Sequence, residues 1–183
     1  MSQRIVVLAG FAGSGKDTAG AVFTEHGFTR APLAGPLKNM LRCFLQMRDY
    51  PEEIRERMLE GDLKEVETSA FGGCPGFNTP RRAMQLLGAE WGRVLDPLLW
   101  LDTWSIMHCQ PGNYVVTDCR YANEAGYLRK QGAEVYLVKR PGFQRRMEHS
   151  SEDLSWAEGC EVIWNDFPTA GEFQDSIRAR FFA

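Results

Sequence analysis

The chain has 183 residues, of which 44% are hydrophobic and 25% charged, and it carries a formal net charge of −3. That balance suits one soluble domain, residues 1–183, with a real core, and it excludes a general electrostatic pull toward nucleic acid, so an anion site has to be a local cluster of Lys and Arg. No apolar run is long enough to span a bilayer and the N-terminus lacks the order of a signal peptide; scattered cysteines without a C-x-x-C pair and histidines without ligand spacing point to reduced thiols, a cytoplasmic location and no zinc site.

Arg4 to Ala9 ("RIVVLA") is a β-branched run that ends in glycines, as a buried parallel strand does. A helix is expected from Lys16 to His26, and a short strand around Phe28–Ala31. "PLAGPLKNMLRCFL" starts another helix near Pro36, with Leu37, Leu41, Phe44 and Leu45 on its apolar face and Lys38 and Arg42 sharing another. Residues 48–78 are charged and then Gly/Pro-rich, which reads as a peripheral helical excursion and a connection.

Thr79 caps the next helix, with Pro80 at its first position. A regular helix there turns Ala83, Leu87, Trp91 and Val94 to the core, and gives Arg81, Gln85, Gly88 and Gly92 a common face. "YVVTD" is a strand, "ANEAGYLRKQG" a helix closed by Gly132, "AEVYLVKR" and "CEVIWND" two more strands, and "TAGEFQDSIRARFF" a terminal helix. The alternation gives an α/β fold of about five parallel strands with helices on both faces.

Chemistry concentrates in "GFAGSGKDT". Gly10 and Gly15–Lys16 have the G-x-x-x-x-G-K spacing of a phosphate loop, placed between strand and helix as that loop requires. Backbone N–H groups must converge on phosphate oxygens there, and side chains obstruct them, hence Gly10, Gly13 and Gly15. The helix adds its positive dipole end, and the Lys16 ammonium follows the charge of the outer phosphates. Asp17 stands where Ser or Thr is usual; with Thr18 it either places a divalent cation or caps the helix. Asp118 ends an apolar strand at the sheet's ligand edge, where it holds a cation through water, orients an acceptor, or caps a turn. Arg120 either neutralises phosphate or forms a structural ion pair. Residues 140–153, with Arg140, Arg145 and Arg146, form a closing lid or a solvated basic loop. His149 alone is no general base, and Ser150 with Asp153 reads as a helix cap.

Taken together, "SGKDT", "LAGPLK", "RRAMQLLGAEWG", "LLWLDTW", "TDCR…NE", "VKRPG…HSSE" and "VIWND" resemble, in this order, the deoxynucleoside monophosphate kinases of tailed bacteriophages. The resemblance runs from about residue 4 to the C-terminus, without 48–78. It implies the P-loop kinase fold with a helical substrate-binding region and a lid, and γ-phosphoryl transfer from ATP to a deoxynucleoside 5′-monophosphate. It implies Gly13, Ser14, Gly15, Lys16, Asp17 and Thr18 as the ATP and Mg²⁺ loop, and Asn165 with Asp166 near the adenine. Lys38, Arg81 or Arg82, Gly88 and Ala89 then form the acceptor pocket with Trp100 near the base or sugar, while Asp118, Arg120 and Glu124 line its side and Arg140 the lid. The cluster of Lys38, Arg42, Arg81 and Arg82 itself argues for such a pocket. Some relatives carry basic residues inside the loop, where this chain has Ala12 and Gly13. Other readings are a phosphomevalonate kinase-like enzyme, a kinase of 5-hydroxymethyl pyrimidines in phage DNA, and a nucleotide-binding module without transfer. Stable nucleic-acid or membrane binding is not expected, and a homodimer is left open.

Overall fold

The computed structural model describes residues 3–72, 78–142 and 154–183. In chain order the elements are β1 (Arg4–Ala9), α1 (Lys16–Glu25), β2 (Thr29–Arg30), α2 (Gly35–Met47), α3 (Glu52–Leu59) and α4 (Pro80–Gln85). A π-helical stretch, Leu86–Gly92, runs on into the short α5 (Arg93–Leu95), followed by α6 (Leu99–Met107). β3 (Asn113–Val116), α7 (Ala122–Lys130), β4 (Glu134–Lys139), β5 (Glu161–Trp164) and α8 (Ala170–Phe181) complete the chain. Two compact units divide it: Met1–Leu33 with Cys109–Ala183, and Ala34–His108.

The first unit is a five-stranded sheet in the order β2-β3-β1-β4-β5, with every neighbouring pair parallel. β1 is central, and from Ile5 to Ala9 it is buried on both faces, which is why it reads as an unbroken apolar run. Val6 and Leu8 pack with Val22 and Phe23 of α1 and with Phe173 and Ile177 of α8. On the other side, Ala9 and Leu137 pack with Ala157. β2 is short and exposed, as an edge strand tends to be. Gly132 takes a positive φ after α7 and ends it, as the sequence suggests. Among the described residues no helix is long and apolar enough to cross a membrane.

The second unit centres on Leu41 and Leu45 of α2, Met58 and Leu59 of α3, and Ala70. The described part of residues 48–78 is therefore more than peripheral, because Tyr50, Ile54, Met58, Leu59, Leu63, Ala70 and Phe71 help to build this core. Thr79 caps α4 as expected, its Oγ1 accepting the Arg82 N–H at 3.2 Å. The regular helix expected beyond it is not formed. The π turn adds a residue per turn and rotates the residues after it, so Trp91 and Val94, expected in the core, are 46% and 75% exposed. Trp100 holds this distortion: its Nε1 donates to the Gly88 carbonyl at 2.9 Å, and a Cβ on Gly92 would stand 2.3 Å from that nitrogen.

Phe23 is fully buried and meets the rings of Phe28, Phe181 and Phe182. Phe23→Ala is expected to cost about 3–5 kcal/mol, read from the urea midpoint of the first unit's transition; a loss below about 1 kcal/mol would contradict this core.

Candidate nucleotide site

The strand β1 ends at Ala9 and the chain turns sharply over β4. A Cβ on Gly10 would lie 2.5 Å from the Val138 carbonyl oxygen, so only glycine passes there. Gly13 and Gly15 take φ of 80° and 104°, the left-handed region that other residues avoid. Gly15 is the N-cap of α1 and has no side chain to spend on the first-turn N–H groups, which leaves them to an anion.

Asn165, buried just beyond β5, supports this loop from behind. Its Nδ2 donates to the Ser14 carbonyl at 2.9 Å, and its own N–H extends the sheet by donating to the Lys139 carbonyl at 2.7 Å. In a trans peptide the carbonyl and the following N–H point opposite ways. Holding the Ser14 carbonyl toward Asn165 thus turns the Gly15 N–H away from it. A side chain on Gly15 would strike Asn165 Nδ2 at 2.5 Å and Phe173 at 3.0 Å. The Ser14 hydroxyl is buried and, among the described residues, has no partner.

Gly13, Gly15, Lys16, Thr18, Asn165 and Arg140 line a cleft of about 300 Å³, floored by Phe173 and Phe167. Lys16 Nζ donates to the Phe11 carbonyl at 2.8 Å. Burial holds its ammonium below the ordinary lysine value; Asp17 opposes that shift, Arg120 adds to it and Asp118 opposes it. A partly desolvated cation facing a neutral carbonyl is a site that gains from an arriving anion.

Asp17 does not cap its own helix. Its Oδ1 accepts from Arg30 Nη2 at 2.5 Å and from Thr117 Oγ1 at 3.0 Å, so it is tied sideways to the ends of β2 and β3. Asp118 Oδ1 accepts the Leu33 N–H at 2.8 Å and anchors the chain leaving β2. Arg120 is exposed. Glu124, expected to line the acceptor side, is buried, and its Oε2 takes the N–H groups of Arg120 and Tyr121 at 2.8 and 3.1 Å. That is a capping role for α7. Arg140 stands exposed on the cleft rim, whereas Arg145, Arg146, His149, Ser150 and Asp153 lie outside the described residues.

The second unit holds the remaining expected cations, each paired with a glutamate. Lys38 meets Glu60 at 2.6 Å, Arg42 meets Glu56 at 2.6 Å and Glu60 at 3.1 Å, Arg81 meets Glu65 at 2.7 Å, and Arg82 meets Glu90 at 3.3 Å. Gly88 has room beside it, since an added Cβ meets only Leu37 at 3.5 Å. Ala89 follows it in the π turn, and Trp100 packs on that turn. Sequence reasoning missed Arg30, Thr117 and the glutamate partners. The acidic surplus of residues 52–67 was the signal for Glu56, Glu60 and Glu65; Glu90 and Arg30 had none.

The family described as "Deoxynucleotide monophosphate kinase" matches residues 77–173, a little over half of the chain. The chain belongs to this deoxynucleotide monophosphate kinase family. The matched span holds Arg81, Asp118, Arg120 and Asn165 and leaves out the glycine loop. A protein of Acanthamoeba polyphaga mimivirus named "Putative deoxynucleotide monophosphate kinase" is 27% identical over 191 residues, 94% of this chain and 93% of its own length. The crystal structure of TT1252 from Thermus thermophilus superposes over 100% of both chains with a TM-score of 0.51 and 16% identity, which shows a shared fold. A dephospho-CoA kinase from Campylobacter jejuni, at TM-score 0.46 and 12% identity over 97% and 95% of the chains, is too distant to add to this. A kinase of this family has, in the first unit, a loop suited to a nucleotide's phosphates.

Two outcomes test this geometry. Asn165→Ala leaves the Ser14 carbonyl unheld and is expected to weaken ATP-analogue binding about tenfold with the fold retained, measured by calorimetry and circular dichroism. Arg42 holds the Glu56 carboxyl below its ordinary value by direct hydrogen bonding. A depressed folded value stabilises above the unfolded carboxylate range and is lost as pH falls through the folded one. Because Glu56 is 43% exposed, the pair is worth at most about 1 kcal/mol. Urea midpoints of wild type and Arg42→Gln should therefore differ at neutral pH and converge in acid.

Proposed function

We propose that the protein transfers the γ-phosphoryl group of ATP to a deoxynucleoside 5′-monophosphate, giving the diphosphate. The observation that carries this reading is the glycine-framed loop, with its uncapped helix start and Lys16 in the cleft, in a chain of this kinase family. Phosphoryl transfer needs positioning and charge neutralisation more than covalent chemistry. Gly13, Ser14 and Gly15 present backbone N–H groups to the donor phosphates, and Lys16 exchanges the Phe11 carbonyl for a phosphate oxygen. Arg140 covers the donor from the rim. Asn165 acts from behind the loop as a positioning residue.

A Mg²⁺ ion fits the donor set. Among the described residues no group of three or more His, Cys, Asp or Glu could hold a metal, but Mg²⁺ beside a polyphosphate takes one or two protein oxygens and completes its shell with phosphates and water. Asp17 Oδ2, which makes no hydrogen bond among the described residues, and the Thr18 hydroxyl supply such oxygens. When bound, the ion neutralises charge on the donor phosphates.

An acceptor phosphate is already a nucleophile at neutral pH, so no general base is assigned. Asp118 and Arg120 serve the acceptor at the carboxyl ends of the strands, where parallel sheets bind ligands. Lys38, Arg42, Arg81, Arg82, Gly88, Ala89 and Trp100 are assigned to acceptor recognition. Their glutamate partners then share or release them when a phosphate arrives. Arg81 spends only its Nε on Glu65 among the described residues, leaving its terminal nitrogens for an anion.

Lys16→Ala is expected to lower kcat about 10²-fold or more in a coupled diphosphate-release assay. Arg81→Ala should raise the acceptor KM about tenfold with kcat nearly unchanged. Wild-type turnover by Lys16→Ala would overturn the scheme.

A further inference from the structure

The glycine loop leaves the centre of the sheet and has two flanks. On the β4–β5 side lies the cleft, lined by Arg140, Asn165 and Phe173. On the β3–β2 side stands Arg30, at the carboxyl end of the edge strand, opposite Val115 in the register. Arg30 is not part of the cleft lining, yet it is joined to the loop's helix through one carboxylate. Its Nη2 donates to Asp17 Oδ1 at 2.5 Å and approaches Thr117 Oγ1 at 3.4 Å, while Thr117 donates to the same Asp17 oxygen at 3.0 Å. Asp17 thus touches both flanks, lining the cleft and holding Arg30.

This arrangement is poorly explained by stability. The Arg30 and Asp17 side chains are 59% and 69% exposed, and ion pairs so exposed contribute at most about 1 kcal/mol. A guanidinium has five N–H donors in a fixed plane, and among the described residues Nε and Nη1 of Arg30 have no hydrogen-bond partner. The loop carries no cation before Lys16. In the second unit Lys38, Arg42, Arg81 and Arg82 are each met by a glutamate and Arg57 by Asp62, and Lys38 is only 13% exposed in its pair. Arg30 is therefore an exposed, oriented cation with spare donors, beside the loop and on the side away from the donor cleft.

We propose that Arg30 binds the phosphate of the acceptor mononucleotide, with Asp17 and Thr117 fixing the plane of its guanidinium. This inference rests on the kinase reading above. A planar fork suits two oxygens of a phosphate monoester at once, and an acceptor gripped there lies on the opposite flank of the loop from the donor, held through the residue next to Lys16. Asp17 then couples the two substrates, because the carboxylate beside the donor is also the one that aims Arg30.

The test compares wild type, Arg30→Met, Arg30→Lys and Asp17→Asn with ATP, Mg²⁺ and each of dAMP, dGMP, dCMP and dTMP. Arg30→Met is expected to raise the acceptor KM, and the acceptor Kd by calorimetry, about tenfold or more while the ATP KM moves less than about twofold. Arg30→Lys should recover part of the loss, because it restores the charge without the fork. Inhibition by the unphosphorylated deoxynucleoside should be the same in Arg30→Met and wild type, which a purely structural role would not produce. If wild type turns over a mononucleotide and Arg30→Met has an unchanged acceptor KM, or loses ATP and acceptor equally as Asp17→Asn does, Arg30 is not an acceptor ligand and the kinase reading stands. If wild type turns over none of the mononucleotides, that reading fails and this inference fails with it.

Discussion

A single buried hydrogen bond, from the Asn165 amide to the Ser14 carbonyl, sets the shape on which the rest of the site depends. A phosphate-binding loop must aim N–H groups inward and put its carbonyls elsewhere, and an unsupported glycine-rich turn has no reason to choose that arrangement. Here the carbonyl has a partner beneath it, the glycine above has no Cβ to block the approach, and Phe173 closes the floor. The partner comes from the end of β5 and the floor from α8, far along the chain from the loop itself. The loop's geometry is thus a property of the assembled sheet.

Charge is arranged with the same economy. Lys16 is partly buried against a neutral carbonyl, which lowers its affinity for a proton and leaves it ready for a phosphate. Asp17, in place of the usual hydroxyl residue, brings a negative charge to a site for anions, and Arg30 compensates it at once. Lys38, Arg42, Arg81 and Arg82 of the second unit are handled differently, each held by a glutamate of that unit. On the proposed reading, an acceptor phosphate in that unit draws cations from glutamate partners, whereas the loop offers donors that no side chain caps.

Much of this is legible in the residues. Four of the five strands are visible as apolar, β-branched runs, β1 most plainly because a strand buried on both faces must be apolar on both, while β2 is two exposed residues with little pattern of its own. The loop is visible because its spacing lies between a strand and a helix. Thr79 and Pro80 announce a helix start for purely local reasons. The hidden features are non-local. Trp91 and Val94 point outward because a π turn, held by Trp100 at the Gly88 carbonyl, breaks the period on which the pattern rests. Glu124 has the look of a site carboxylate, but its three-residue offset from Tyr121 makes it a cap. The pairing of Arg30 with Asp17 joins two strands and a helix, and nothing in either residue's neighbours along the chain foretells it.

The central claim is that the loop grips a donor triphosphate and delivers its end group to a second phosphate. The most direct measurement tracks the fate of a radioactive γ-phosphate when the purified protein is mixed with labelled ATP, Mg²⁺ and deoxynucleoside monophosphates. The account predicts that the label appears as the β-phosphate of a deoxynucleoside diphosphate. Label that stays in ATP, or that appears only as inorganic phosphate whether or not a mononucleotide is present, would contradict it.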